Sequence, residues 1–176
     1  EDQLREQKVR LQYLQMQIRP HFLVNALNSV CSMIDMKNEA GAREMCRYLA
    51  QYFRFLYNKN TDLIVITEEL EHVKTYVHIQ EMRRPGRIVF DVAIDDDCRV
   101  CLVPPLLLQT FVENCIKYGI DMEQQMNTIS IRVTKKASMA EILIRDCGPG
   151  FPLEVLDCIH QVRTNVRDGR ECVGIH

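Results

Sequence analysis

The 176 residues are 47% hydrophobic and 26% charged, an ordinary globular composition for one large domain or a small module joined to a second. A net charge of −2 excludes a general nucleic-acid surface, and no apolar run reaches the roughly 18 residues of a membrane helix. Charge is unevenly spread, with nine Lys/Arg against six Asp/Glu in residues 1–60 and 13 against 18 in residues 61–176. The eight cysteines read as reduced thiols, because a chain this long and apolar needs no disulfide scaffold. Cys98 and Cys101 form one CxxC without a second pair, and read as partly buried small hydrophobes. The opening residues do not read as a signal peptide. The start without Met and the end at "VGIH" read as a piece of something longer.

Leu4, Leu11 and Ile18 recur at seven, with Leu14 at the matching d position and Gln, Arg, Lys and Glu between. This is a heptad stripe suited to a parallel helix pair. Pro20 should interrupt that helix next to His21, since an interior proline costs roughly 3 kcal/mol. "HFLVNALNSVCSMIDM" then resumes helical spacing through Phe22, Ala26, Ser29/Val30 and Met33, with Asn38 as a cap and Gly41 close behind. Met45, Tyr48, Leu49, Tyr52, Phe53 and Leu56 mark a second helix. One hairpin buries neither face alone, so two chains are expected to build a four-helix bundle. Met33, Met36 and Met45 look like core filler.

Thr67, followed by Glu68 and Glu69, reads as the N-cap of a helix to about Met82, ended by Pro85 and Gly86. His72 and His78 on that helix, with His160 and His176, show no ligand spacing and are expected at the surface or its boundary. Ile88, Phe90, Val92 and Ile94 alternate as a strand. Pro104–Pro105 open a helix that closes at Gly119. Residues 128–134 and 140–146 are two strands joined by "KKASM", a hairpin. The order is α+β with an all-helical N-terminal part, and the shift in composition near residue 84 divides 1–84 from 85–176.

Two segments carry chemistry. On the helix at 105–118, Leu108, Phe111, Val112, Cys115 and Ile116 form the buried stripe, while Thr110, Glu113, Asn114 and Lys117 share another face. A carboxylate, an amide oxygen and an ammonium on one stripe suit a cation and the phosphates it bridges, although solvated Glu–Lys pairs at this spacing are common. In "IRDCGPGF", Asp146 ends the row Ala140, Ile142, Ile144 on the buried strand face. A carboxylate there needs donors, and Gly148 and Gly150 leave room for a flat ring. That combination suits an adenine amine; the bland alternative is a tight turn with a solvated Asp.

Taken together, these segments resemble a known pattern. "FVENCIKYG" resembles the N box, and "DCGPGF" the first glycine box, of the ATP-binding domain shared by histidine kinases, gyrase and Hsp90-type proteins. "QIRPHFLVNALN" resembles the phosphoacceptor segment of the LytS/YehU-type sensor histidine kinases. "VPPLLLQTFVENCIKYGI" and "ITEELEHVKTYVHIQEMRR" are similar to that branch's further segments, so the likeness covers most of residues 11–176 in order.

The resemblance implies a helical dimerisation hairpin over 1–84 and an α/β-sandwich ATP-binding domain over 85–176, incomplete at its C-terminus. It implies that His21 is the phosphoacceptor, Asn114 a Mg²⁺ ligand, Lys117 a phosphate contact and Asp146 the acceptor for the adenine amine. Gly148 and Gly150 would shape the adenine pocket, and Gly174 would stand for a second glycine box that has Cys172 at an expected glycine. Glu113 aligns with the glutamate beside the N-box Asn. Tyr118 stands where many members have His, Cys115 where Ala is usual, and Cys147 where Asn is common.

Phosphoryl transfer requires an exposed imidazole. Pro20 would present it outward, and Asn25, one turn on, would hydrogen-bond the ring or the incoming group. Phe22 follows the histidine where many kinases place Asp or Glu. The implied partners are a second copy of the chain and a response-regulator protein with an acceptor aspartate, without nucleic acid. The core would be cytoplasmic and reach the membrane only through an N-terminal region outside this sequence. Two competing readings are a degenerate non-catalytic or phosphatase-type sensor module, and a gyrase/Hsp90-type ATPase in which Glu113 activates water.

Overall fold

The computed structural model describes residues 20–58, 61–119, 126–148 and 150. The heptad residues Leu4, Leu11, Leu14 and Ile18 lie outside them, as do Gly174, Cys172, His160 and His176. Helix α1 (Pro20–Asp35) and helix α2 (Glu39–Asn58) form the expected hairpin. Its turn has Lys37 at φ 58°, with the Asn38 amide donating to Met33 O. Asn38 Oδ1 then accepts from the Gly41 amide at 3.0 Å, capping α2. A side chain at Gly41 would meet the Asn38 amide at 2.6 Å, so this tight cap calls for glycine. Pro20 is the first residue of α1, where a missing N–H breaks no intrahelical bond.

The chain next pairs Ile64–Val65 (β1) with Leu102–Val103 (β3), two short antiparallel strands that alternation is too brief to reveal. Helix α3 (Ile66–Arg83) leaves β1 directly, with Val65 at its N-cap and no side-chain cap bond. Thr67 is therefore not the cap. The Ile66 amide instead donates to Cys101 O at 2.8 Å, so the strand pairing does what a cap would do.

Strand β2 (Ile88–Ile94), helix α4 (Leu107–Gly119) and strand β4 (Asn127–Lys136) make a βαβ unit with parallel strands, and β5 (Met139–Asp146) returns antiparallel to β4. The sheet order is β2-β4-β5. The β4–β5 turn is Ala137–Ser138, with Ala137 at φ 52°. Asn127, Ile129, Ile131 and Val133 are buried, whereas Val89 and Leu143 on the opposite face are exposed. Helices α3 and α4 thus cover one face of the sheet, and the expected α+β class holds.

One apolar cluster joins all of this, running from Phe22 and Ala26 through Met45, Leu49, Tyr52 and Leu56 to Leu70, Val73 and Ile79, then Leu108, Val112 and Ile131. Its α1 and α2 members are the stripes expected from helical spacing. Each fully buried side chain of this size contributes about 1.5–3 kcal/mol. Met45 is fully buried, but Met36 is 76% exposed at the hairpin turn and fills no core. The described cysteines, Cys31, Cys46, Cys98, Cys101, Cys115 and Cys147, are all free thiols. No described helix is long and apolar enough to cross a membrane.

Candidate functional site

His21 stands in the first turn of α1 with its ring in solvent. The helical repeat brings Asn25 back to it: the Asn25 side-chain nitrogen lies 3.0 Å from both Nδ1 and Nε2. A carboxamide N–H donates there to an unprotonated ring nitrogen. The next residue, Phe22, points the other way into the core, its ring centroid 5.0 Å from Tyr52 of α2 and 5.3 Å from Tyr76 of α3. A single turn of helix therefore has one exposed imidazole and one buried aromatic anchor.

Helix α4 is positioned by a residue that sequence reading missed. Glu69 of α3, fully buried, accepts from the amides of Leu106 (3.0 Å), Leu108 (3.1 Å) and Gln109 (3.3 Å). A carboxylate on the first-turn N–H groups satisfies orphan donors and complements the helix dipole. Pro104 and Pro105 precede this cap, and Leu106 adopts φ 66° to bring the helix start onto Glu69. The cap comes from about 40 residues upstream, which no local motif can signal.

The expected polar stripe on α4 divides in two. Thr110 and Lys117 are exposed and Asn114 is half-buried, but Glu113 is buried and faces the helical layer. Gln109 Nε2 donates to Glu113 Oε1 at 2.7 Å and to Tyr52 Oη at 2.8 Å. At roughly 100° per residue, Glu113 and Asn114 diverge. Glu113 is thus buried and tied to Gln109, which itself reaches Tyr52 of α2, away from the face shared by Asn114 and Lys117. Phe111, expected in the buried stripe, is 42% exposed on the solvent side.

His72, expected near the surface, is buried between rings: its centroid is 3.8 Å from Phe55 at 11° and 4.9 Å from Tyr52 at 21°. Burial pushes its pKa down from 6.5 to about 4, only partly opposed by the Gln109 side chain. Its Nε2 atom makes no hydrogen bond. His78 stays at the boundary, its ring tilted at 45° to Tyr48 with centroids 4.3 Å apart and its Nε2 3.7 Å from Glu44 Oε1.

The segments "FVENCIKYG" and "DCGPGF" meet at the C-terminal end of α4. Cys115 Sγ donates to Asp146 Oδ2 at 3.4 Å, and desolvation, with the Asp146 carboxylate second, pushes that thiol up to about 12. Asp146 ends the inward strand row opposite Ile129, yet it is exposed rather than buried. Its other oxygen accepts from the Gly148 amide at 2.7 Å, an Asx turn. A Cβ on Gly148 would lie 2.7 Å from that oxygen and 3.5 Å from Gly119 Cα. Gly148 therefore lets the turn lie against the end of α4. Gly150 follows at φ 78°.

Asn127 seals the other side of this junction. Its side-chain amide donates to Cys115 O at 2.8 Å, and any Cβ on Gly119 would fall 2.3 Å from that amide nitrogen. Cys147 Sγ accepts from the Thr128 amide at 3.1 Å. Lys117 Nζ lies 3.2 Å from Tyr118 Oη and 4.8 Å from that ring's centroid, so its ammonium rests on an exposed aromatic.

The arrangement is an open polar edge: Asn114, Lys117 and Tyr118 on α4, beside Asp146, Gly148 and Gly150. Among the described residues no group of three His, Cys, Asp or Glu could hold a metal ion. Asn114 and Lys117 are the polar side chains that α4 offers on this side. His21 and Asn25 stand apart from this edge, on the hairpin.

A family model described as "Histidine kinase" matches residues 9–88. "Sensor protein LytS" of Staphylococcus epidermidis is 34% identical over 147 residues, 83% of this chain and 25% of that protein. "Sensor protein LytS" of Staphylococcus saprophyticus is 34% identical over 157 residues, 89% of this chain and 26% of that protein. "Sensor histidine kinase/phosphatase LytS" of Staphylococcus aureus is 31% identical over 158 residues, 89% and 27% respectively. The chain thus spans about a quarter of the length of the curated relatives it matches.

Proposed function

The chain belongs to the LytS-type sensor histidine kinases, and from that premise we propose that it is a kinase core which phosphorylates its own His21 with Mg-ATP. The observation that carries this reading is the exposed His21 ring with the Asn25 amide at 3.0 Å, in the same molecule as a Cys115–Asp146 contact that sets "DCGPGF" against the helix carrying Asn114.

ATP with Mg²⁺ supplies the phosphoryl group and a charge-neutralising metal. The unprotonated imidazole nitrogen of His21 would bond to the γ-phosphorus as the bond from that phosphorus to the β,γ-bridging oxygen breaks; ADP would leave with that electron pair, and the proton on the other ring nitrogen would pass to solvent at the exposed ring. Asn25 orients the ring. Asn114 would ligate the metal, Lys117 would meet the phosphates once released from Tyr118, and Asp146 would accept from the adenine amine. Gly148 and Gly150 keep side chains out of the ring's way. Glu113 has a role inside the fold, since it is turned from that edge and bonded to Gln109.

The phosphoryl group would pass to an aspartate of a response-regulator protein. A second copy of the chain is the expected partner of α1, where Val24, Leu27, Cys31 and Ile34 recur at a and d spacing and all are exposed. The rest of the protein would provide sensing and a membrane anchor.

The test is incubation of the intact protein with γ-labelled ATP and Mg²⁺. Acid-labile, alkali-stable label that disappears in His21→Gln is the expected result. Absence of label from a folded, dimeric wild type would overturn the reading.

A further inference from the structure

Three helices meet at one buried amide. Gln109 is 5% exposed on α4, and both protons of its side-chain nitrogen are used, one on Tyr52 of α2 and one on Glu113 of its own helix. Its Oε1 makes no hydrogen bond, and neither does the buried Nε2 of His72 on α3. Only one amide orientation works, because a carbonyl oxygen facing the Glu113 carboxylate would be repelled. The two donor contacts therefore set the orientation of this buried amide.

Tyr52 is also where α1 rests, through Phe22 at 5.0 Å. A continuous set of contacts therefore runs from Phe22, beside His21, through Tyr52 and Gln109 to Glu113, beside Asn114. Every side chain along it is buried. Its final hydrogen-bonded part is directional, unlike the apolar packing around it.

We propose that Gln109 is a positioning residue that couples the seating of the phosphoacceptor helix to the helix carrying Asn114 and Lys117. When Phe22 is seated, Tyr52 is held under Gln109, and Gln109 holds Glu113 and the roll of α4. When Phe22 lifts, Tyr52 moves from the amide and α4 loses a tie to α2. The consequence for transfer at His21 rests on the kinase reading; the coupling between helices does not.

Hydrogen–deuterium exchange over residues 107–119 of the intact protein tests the coupling without any activity. Tyr52→Phe keeps the ring beside Phe22 and His72 but removes the accepting oxygen. It should speed exchange in α4 about fivefold, the worth of one hydrogen bond. Phe22→Leu, mild enough to preserve the fold, should also speed it, and the double variant should exchange no faster than Tyr52→Phe alone. Additive effects, or no effect of Phe22→Leu on α4, would overturn the proposal.

The kinetic counterpart is His21 labelling well below the melting temperature. Tyr52→Phe should slow labelling at saturating ATP about fivefold with half-saturating ATP unchanged, a split that general destabilisation does not produce. A change in half-saturation alone would overturn the positioning role. Non-additive exchange among these variants, together with a wild type that takes no label at His21, would count against the kinase reading while supporting the coupling.

Discussion

The helical layer around Gln109 and the edge around Asp146 treat polar groups in opposite ways. In the layer, Glu69, Gln109, Glu113 and His72 are buried among aromatic and aliphatic side chains, and Glu69 alone gathers three backbone amides. At the edge, Lys117, Tyr118 and Asp146 are exposed and have short local partners. Buried polar groups fix helices because losing a partner costs desolvation that water cannot return. Exposed ones stay available for exchange with a ligand. Two glutamates of this chain, Glu69 and Glu113, therefore serve as internal fittings, while the lone strand-end aspartate is left open.

The sharpest way to break this contrast is Glu69→Ala. It strips the start of α4 of its acceptor and leaves the Leu106, Leu108 and Gln109 amides facing a buried hollow. The expected loss is about 3 kcal/mol or more in urea unfolding, within the range for breaking charge-assisted buried bonds. A loss under 1 kcal/mol would mean that water satisfies the helix start, and the layer would then resemble the edge.

Acid is the next largest probe. His72 has a folded pKa near 4 against 6.5 unfolded. Between those values the unfolded chain binds more protons, so stability is fully present above pH 6.5 and is lost as pH falls toward 4. The shift corresponds to roughly 3 kcal/mol at the bottom of that window. His72→Phe, which keeps a ring stacked between Phe55 and Tyr52, should flatten this part of the stability–pH curve. An unchanged slope would show that His72 protonates without leaving its stack.

The legibility of the molecule follows the same division. Helical stripes such as Met45–Leu49–Tyr52–Leu56 and the alternation of Ile129, Ile131 and Val133 are periodic, so they are readable without coordinates. The convergence of "FVENCIKYG" on "DCGPGF" was legible as a resemblance, and the Cys115–Asp146 contact places the two segments side by side. What stayed hidden depends on partners far away in sequence. Glu69 read as a first-turn acid but caps another helix, and Glu113 read as part of a solvent stripe but turns toward Tyr52. His72 lacks ligand spacing, and of the two α2 rings that bury it only Tyr52 lies in that helix's legible apolar stripe, whereas Phe55 falls outside it. The two-residue strands β1 and β3 are too short for alternation to register, which is why Thr67 reads as a cap where strand pairing fills that role.

The hairpin turn supplies an intermediate case, because Asn38 is exposed but satisfies a helix terminus. Asn38→Ala should cost about 1 kcal/mol, the usual worth of such a cap. Melting of the variant measures it, and nucleotide affinity should not move. An effect as large as that of Glu69→Ala would place the turn within the buried framework.

Asp146→Asn should have the smallest effect on the fold. The replacement keeps an oxygen to accept the Gly148 amide, so the Asx turn survives. Exposed substitutions of this kind stay within about 0.5 kcal/mol. What changes is the charge of the acceptor and its contact with the Cys115 thiol. A hydrogen bond to a carboxylate is roughly twice as strong as one to a neutral oxygen, so affinity for a fluorescent ATP analogue should fall about tenfold. Relief of the nearby negative charge should also lower the Cys115 pKa from about 12, while burial continues to hold it above an ordinary thiol. Thiol alkylation against pH reads that second change independently of any nucleotide. A variant that binds the analogue as tightly as wild type while its Cys115 titration shifts would show that Asp146 touches α4 but not the adenine. The open edge would then need another acceptor for its ligand.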